Sequence, residues 1–233
     1  MPRYKRYRSG RRKRKGGFRR FRRRLRRGYR RRRSGKTRIS FRRMPTLDPD
    51  AIYVKLRWGT YFTVGGVVAT VFYFRGNGPW DPVQALGGSQ PLGFDQYAIL
   101  YKRYRCFGSK IAINVHNLSP TIPCQVSITP IDTASAVAID LLTEPFVRWK
   151  IVPVLGAGGA RNLKNYFSTR KMFATNISQD DQYSSFTTGL PSIQWYWKMY
   201  FQSLNLTDYV TASGRVQITY YIKFYNRQTL NDV

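Results

Sequence analysis

Acidic residues, histidine and cysteine are scarce in this chain of 233 residues. Asp and Glu together number 11 against 41 Lys and Arg, and His116 and Glu144 are the single histidine and the single glutamate. A Ser-His-Asp triad would have to use His116, which we instead expect to be a solvent-facing or hydrogen-bonded strand residue. Cys106 and Cys124 are too few to define a metal site, and we expect reduced, buried thiols.

The phosphate-binding and catalytic motifs of enzymes are also incomplete. "SGKT" at 34–37 imitates the end of a phosphate-binding loop, but Arg30 occupies a required glycine position and polyarginine replaces the preceding strand. "GAGGAR" at 156–161 departs from the dinucleotide pattern because Arg161 replaces its last glycine. Asp180 and Asp181 suit either a cation site or a solvated turn, and we favour the turn. We therefore predict that the chain is not an enzyme and uses no cofactor or metal.

No apolar run opens the chain, so we expect no secretory signal peptide. The segment from Trp58 to Phe74 carries no charge and approaches the length of a membrane span. It contains several glycines and threonines among β-branched and aromatic residues, which favours two strands that meet at Gly65 and Gly66. We expect no membrane insertion.

Positive charge is concentrated at the N-terminus. Residues 1–43 contain 24 of the 41 basic residues and no acidic one, which leaves 17 basic and 11 acidic residues for 44–233, a net charge of +6. A block of like charges this dense repels itself and has too little apolar surface to fold alone. We predict two parts: an arginine-rich arm at 1–43, disordered when free, and one folded domain at 44–233.

The arm has the chemistry of a nucleic-acid ligand. Guanidinium groups bind phosphate bidentately and stay charged, and neutralising phosphates releases counterions. Five aromatic residues, including Tyr4 and Phe18, suit stacking on unpaired bases. The predicted DNA-binding residues of the arm are Arg11, Arg12, Arg14, Arg19, Arg20, Arg22, Arg23, Arg24, Arg26, Arg27, Arg30, Arg31, Arg32 and Arg33.

Two other readings of the arm stay open. Phe18, Phe21, Leu25 and Tyr29 share one face of a possible membrane-surface or glycan-binding helix, although Gly28 interrupts it. The basic clusters also suit a nuclear localisation signal, which is compatible with nucleic-acid binding. The predicted localisation residues are Arg11, Arg12, Lys13, Arg14, Lys15, Arg30, Arg31, Arg32 and Arg33.

The remainder alternates between apolar and polar residues with the period of a half-buried strand. In "SIQWYWKMYFQSL" the row from Ile193 to Phe201 opposes Gln194, Lys198 and Gln202. We predict short helices only at 95–103 and 137–145, and an all-β sandwich or jelly roll. The eight predicted strands are 51–64, 67–75, 103–118, 123–131, 147–154, 163–173, 192–204 and 214–226.

Three segments carry a resemblance. The arm opens "MPRYKRYRSGRRKRK", an aromatic-basic stretch "FDQYAILYKRYRCFGSKIAINVHNL" leads into a strand, and the domain closes with "GRVQITYYIKFYNRQ". In this combination and order the chain resembles the capsid protein of circoviruses and related small viruses with circular single-stranded DNA. The resemblance implies an eight-stranded jelly roll with antiparallel sheets B-I-D-G and C-H-E-F. It also implies a corner between sheets at Gly65 and Gly66, where the local pattern alone suggests a hairpin turn.

The resemblance further implies an icosahedral T=1 shell of about sixty copies, with the arm on its interior. The implied partners are further copies of the chain, a single-stranded DNA genome, a host nuclear import receptor, and a cell-surface receptor or sulfated glycan. The implied locations are the virion and, during assembly, the host nucleus. Lys55 and Arg57 follow the arm on the first strand, opposite Val54, Leu56 and Trp58, so we expect them to add DNA contacts.

The alternative function is that of a non-viral protein, ribosomal or chromatin-type, that binds RNA or DNA through a basic tail. The folded domain of such a protein usually extends the basic surface. A net charge of +6 over 190 aromatic-rich residues argues against it.

Overall fold

The computed structural model describes residues 50–66, 70–84, 89–134, 144–205 and 207–228. The predicted arm lies outside these residues, as does most of the helix predicted at 137–145. Within the described ranges the chain consists mainly of strands, as its alternation predicted. No helix in these ranges is long and apolar enough to cross a membrane.

The elements follow one another in the order β1 to β9, with two short helices. The strands are β1 (Ala51–Gly66), β2 (Thr70–Arg75), β3 (Tyr101–Asn117), β4 (Cys124–Ile131), β5 (Arg148–Val152), β6 (Arg161–Ser168), β7 (Ser184–Phe186), β8 (Tyr196–Ser203) and β9 (Val210–Arg227). The helices are α1 (Phe94–Leu100) and α2 (Thr169–Phe173), and a 3₁₀ turn covers Asp181–Tyr183.

The strands form two antiparallel sheets. The first sheet has the order β1-β9-β3-β6, with β7 paired to β3, and the second has the order β2-β8-β4-β5. With β7 set aside, these orders are B-I-D-G and C-H-E-F, so the jelly roll is confirmed. β7 pairs with β3 over only three residues and is an addition to the eight strands.

The two glycines near the start of the domain mark a change of sheet. Gly65 and Gly66 are the last residues of β1, opposite Thr211 and Val210 of β9. The next strand, β2, pairs with β8 in the second sheet. The change of sheet implied by the resemblance is therefore confirmed and follows Gly66, and the hairpin suggested by the local pattern is wrong.

The core lies between the inner faces of the two sheets. Its largest fully buried side chains include Trp195, Trp197, Tyr104 and Tyr220. The polar atoms of the aromatics are paired: Trp197 Nε1 donates to Ser109 Oγ at 2.9 Å, and Tyr220 Oη donates to the Arg75 carbonyl at 2.7 Å. Burying aromatic surface with its polar groups satisfied stabilises the sandwich.

Two predictions about the strands are corrected. Lys198 was predicted to face solvent, but its side chain is 2% exposed and its Nζ lies 3.2 Å from Glu144 Oε1. The alternation could not reveal this ion pair because its partner is 54 residues away. The strand predicted at 163–173 ends at Ser168, whose Oγ accepts from the Lys171 amide and caps helix α2.

Candidate nucleic-acid interface

The outward face of the first sheet is basic. No acidic residue occurs on β1, β3, β6 or β9. Among the basic residues of these four strands that project away from the core, six form no ion pair with a described residue. We call this surface the basic face. Its six cations are Lys55, Arg57, Lys110, Lys164, Arg215 and Lys223.

Strand register brings these residues into rows across the sheet. Arg57 lies opposite Thr219 of β9, which lies opposite Lys110 of β3, which lies opposite Tyr166 of β6. Neighbouring strands are about 4.8 Å apart and successive rows about 7 Å apart. The cations are therefore distributed over the whole face, at spacings that a flexible phosphate backbone can follow.

The predicted pair Lys55 and Arg57 lies on this face, and both side chains are exposed. The Lys55 Nζ lies 5.4 Å from the centroid of the Tyr221 ring, a cation–π distance. The prediction that these residues face away from Leu56 and Trp58, which are buried, is confirmed. Their contact with DNA remains a prediction.

Aromatic rings accompany the cations. Tyr53, Tyr61 and Tyr166 are 70%, 85% and 54% exposed, whereas a tyrosine side chain in a folded protein is usually at least partly buried. Tyr166 packs edge-on against Tyr221 with centroids 5.6 Å apart. Exposed rings beside cations offer stacking surfaces for unpaired bases together with phosphate ligands, the combination found in single-strand binding proteins.

Two further arginines of β3 share one carboxylate. Asp181 Oδ2 lies 3.0 Å from Arg103 Nη1, and Asp181 Oδ1 lies 3.3 Å from Arg105 Nη2. The hydrogen bond and charge of Arg103 hold the pKa of Asp181 below its usual range, with a smaller contribution from Arg105. The Asp180 side chain accepts from the Gln182 amide and caps the 3₁₀ turn. This pair therefore forms a turn, as predicted, and not a cation site.

The six cations of the basic face, by contrast, form no ion pair with any described residue. Of the predicted DNA-binding residues only Lys55 and Arg57 are described, and all predicted arm residues lie outside the described ranges. Sequence reasoning missed Lys110, Lys164, Arg215 and Lys223. The alternation along each strand indicates that these residues face away from the core, but it does not indicate which strands are neighbours in the sheet.

The remaining polar candidates lie apart from this face or on its margin. His116 is exposed on β3, as predicted. Cys106 and Cys124 are buried, as predicted, and form no disulfide with each other, and their reduced state remains a prediction. Burial raises the pKa of each thiol to about 12, so neither is a ready nucleophile. Within the described ranges no group of three or more His, Cys, Asp or Glu residues is placed to hold a metal ion.

Comparison with known proteins gives distant structural likenesses only. No protein-family model and no curated protein matches the chain. A solved structure of Desmodium yellow mottle tymovirus is 8% identical, with a TM-score of 0.42 over 81% of this chain and 95% of that one. The 60-mer BFDV capsid protein is 9% identical, with a TM-score of 0.42 over 78% and 97%.

A Macrobrachium rosenbergii nodavirus particle gives 12% identity and a TM-score of 0.40 over 80% of this chain and 100% of that one. Likenesses this distant assign no family. The jelly-roll assignment therefore rests on the strand orders of the two sheets.

Proposed function

We propose that this chain is a structural capsid protein that assembles into an icosahedral shell and packages circular single-stranded DNA. The observation that carries the proposal is a jelly roll whose first sheet presents a basic face, with no acidic residue on its four long strands, joined in sequence to an arm of 24 basic residues. In this proposal residues 1–43 are the DNA-binding arm and residues 44–233 are the shell-forming domain. The arm and the basic face bind the same packaged strand.

The charge of the arm suits the amount of DNA that a small shell holds. With 24 basic residues per arm and about sixty copies in a T=1 shell, the arms supply on the order of 10³ positive charges. Single-stranded DNA carries one phosphate per nucleotide, so a circle on the order of 10³ nucleotides would be neutralised. The six unpaired cations of the basic face add about a quarter to that charge.

Self-association is supported by apolar side chains left exposed on the domain. Trp149 and Ile151 are 50% and 46% exposed, and they project from the same side of edge strand β5. Leu92, which precedes α1, is 90% exposed, and Ile99, which lies in α1, is 67% exposed. Large exposed apolar residues that cluster on an edge strand are typical of protein–protein contacts, and copies of the same chain are the partner that a shell requires.

We also propose that the arm acts as a nuclear localisation signal bound by a host import receptor. The protein is then located in the virion and, during assembly, in the host nucleus. The two densest clusters, at 11–15 and 30–33, have the composition that such receptors bind. A cell-surface receptor or sulfated glycan on the outside of the shell completes the proposed partners. The non-viral alternative, a basic-tailed ribosomal or chromatin protein, predicts a monomer or small oligomer on RNA or duplex DNA.

Electron microscopy of the purified full-length protein, combined with nuclease protection, tests the proposal. We expect uniform shells whose protected nucleic acid, after extraction, is degraded by a single-strand-specific nuclease and resists both ribonuclease and exonuclease. That pattern identifies circular single-stranded DNA. Small monodisperse particles without shells contradict the capsid role, whereas shells that protect only RNA contradict the DNA genome and leave the shell intact.

A further inference from the structure

The basic face contains an open depression of about 530 Å³, within the size range of ligand pockets. Its floor is low because two of the four residues in one row, Gly59 and Ala112, have little or no side chain. Gln217 stands between them, and Lys164 ends the row on β6. We call this depression the basin.

The next row closes one side of the basin with larger groups. Tyr61 lies opposite Arg215, which lies opposite Asn114, which lies opposite Asn162. The Asn114 Nδ2 donates to Asn162 Oδ1 at 2.7 Å, which holds the two amides in place. Tyr61 is 85% exposed, and Tyr61 and Arg215 both line the depression, so an aromatic ring and a cation border the same hollow.

The polar groups of the basin are available to a ligand. Neither Lys164 nor Arg215 forms an ion pair with a described residue. The amide of Gln217 is exposed and makes no hydrogen bond within the described ranges, so it can donate to and accept from one partner. Two cations, a free amide and an exposed ring around a shallow floor match a phosphate, a base edge and a base face, respectively.

We propose that the basin binds one unstacked nucleotide of a single strand. The base lies over Gly59 and against Tyr61, Gln217 pairs with its edge, and Arg215 and Lys164 bind the flanking phosphates. A duplex cannot use this site, because its bases are held within the stack and only its phosphates reach the surface. The inference rests on the proposed function and extends it: the folded domain, and not only the arm, distinguishes single strands from duplexes.

The full-length protein tests this with two oligonucleotides of equal length and charge, one of thymidylate and one abasic. Stacking of one base is expected to favour the thymidylate strand, and at high salt this preference stands out from phosphate binding. Tyr61→Ala should reduce the ratio of the two dissociation constants by about tenfold. Ala112→Leu, which fills the floor, should reduce it similarly. Tyr209→Ala removes a tyrosine that is 62% exposed outside the basin, and should leave the ratio unchanged.

Arm aromatics contribute equally to all four proteins, so the comparison isolates the basin. A ratio unchanged by Tyr61→Ala overturns the basin and leaves the proposed function standing. A wild-type protein that binds neither strand overturns both. As a second readout, a strand that carries 5-iodouracil should cross-link on irradiation to the peptide containing Tyr61. Cross-links confined to residues 1–43 contradict the inference.

Discussion

Removing the two cations of β1 should weaken DNA binding without unfolding the domain. Lys55 and Arg57 are exposed, and neither forms an ion pair with a described residue. Changing both to Gln should therefore affect folding by no more than about 1 kcal/mol, including the exposed cation–π contact of Lys55 with Tyr221. The substitutions remove the two proposed phosphate ligands and leave the fold in place.

The size of the effect follows from the number of free cations. Each phosphate contacted on a single strand contributes about −0.7 to the slope of log K against log salt. The 24 basic residues of the arm set an upper limit of about −17 for that slope, whereas the six cations of the basic face contribute about −4. Removing Lys55 and Arg57 changes the slope by about 1.4. This is a small part of the slope that the arm can contribute, but about a third of the slope contributed by the basic face.

The measurement is therefore made on residues 44–233, after circular dichroism has shown a β-sheet spectrum. A salt titration with a labelled single strand gives the slope for wild type and for Lys55→Gln with Arg57→Gln. The matched control changes Arg148 and Lys150 to Gln, a pair with the same spacing and charge, exposed on β5 of the other sheet. We expect the slope to fall in magnitude by about 1.4 in the first variant and much less in the control.

Equal losses in the two variants would mean that the domain binds DNA through its total charge and not through the basic face. An unchanged slope in the β1 variant would refute the contact directly. A random-coil spectrum for residues 44–233 would instead refute the two-part organisation of the chain.

The other predictions concern the arm and two ion pairs. Residues 1–43 fused to a fluorescent protein too large for passive entry should carry it into the nucleus, and a cytoplasmic fusion contradicts the localisation signal. The arm peptide should bind two unrelated oligonucleotides of equal length with similar affinity, and Arg-to-Lys changes should weaken binding less than Arg-to-Gln changes. A preference above about a hundredfold, or about 2.7 kcal/mol, would mean that the arm reads sequence. Glu144→Gln should reduce the free energy of unfolding by about 2 kcal/mol in urea titrations, because the buried Lys198 ammonium loses a charged hydrogen-bond partner at 3.2 Å, whereas exposed Asp132→Asn should have little effect. If the two variants are equally stable, the pair at Glu144 is not structural. The lowered pKa of Asp181 means that its contacts with Arg103 and Arg105 stabilise the fold above the usual carboxyl pKa of 3.8 and are lost as pH falls through the lowered value. Asp181→Asn should remove this part of the pH dependence of unfolding, and an unaltered acid-unfolding profile would contradict it.

The strands of the domain could be predicted from local pattern. Charge density along the chain predicts an arm at residues 1–43, and this division remains a prediction. The two-residue period of "GRVQITYYIKFYN" correctly predicted the buried row of β9, from Val216 to Phe224. Pattern along one strand is sufficient there because the core covers one face of the sheet.

Other features depended on contacts between distant segments. The glycines at 65 and 66 suit a turn or a corner equally well, and only the pairing of β2 with β8 decides between them. Lys198 follows the polar half of its alternation but is buried, because Glu144 supplies a carboxylate from another part of the chain. β7 is too short to show a period, and its pairing with β3 alone defines it.

The basic face shows the same division most clearly. Alternation along each strand is enough to place Lys55, Arg57, Lys110, Lys164, Arg215 and Lys223 on the side away from their apolar neighbours. That these residues share one surface follows from the order β1-β9-β3-β6, which joins strands from opposite ends of the domain and cannot be read from any one strand. The basin also depends on this strand order. Gly59 and Ala112 are 53 residues apart in sequence, and they form one floor because both lie opposite Gln217 of β9.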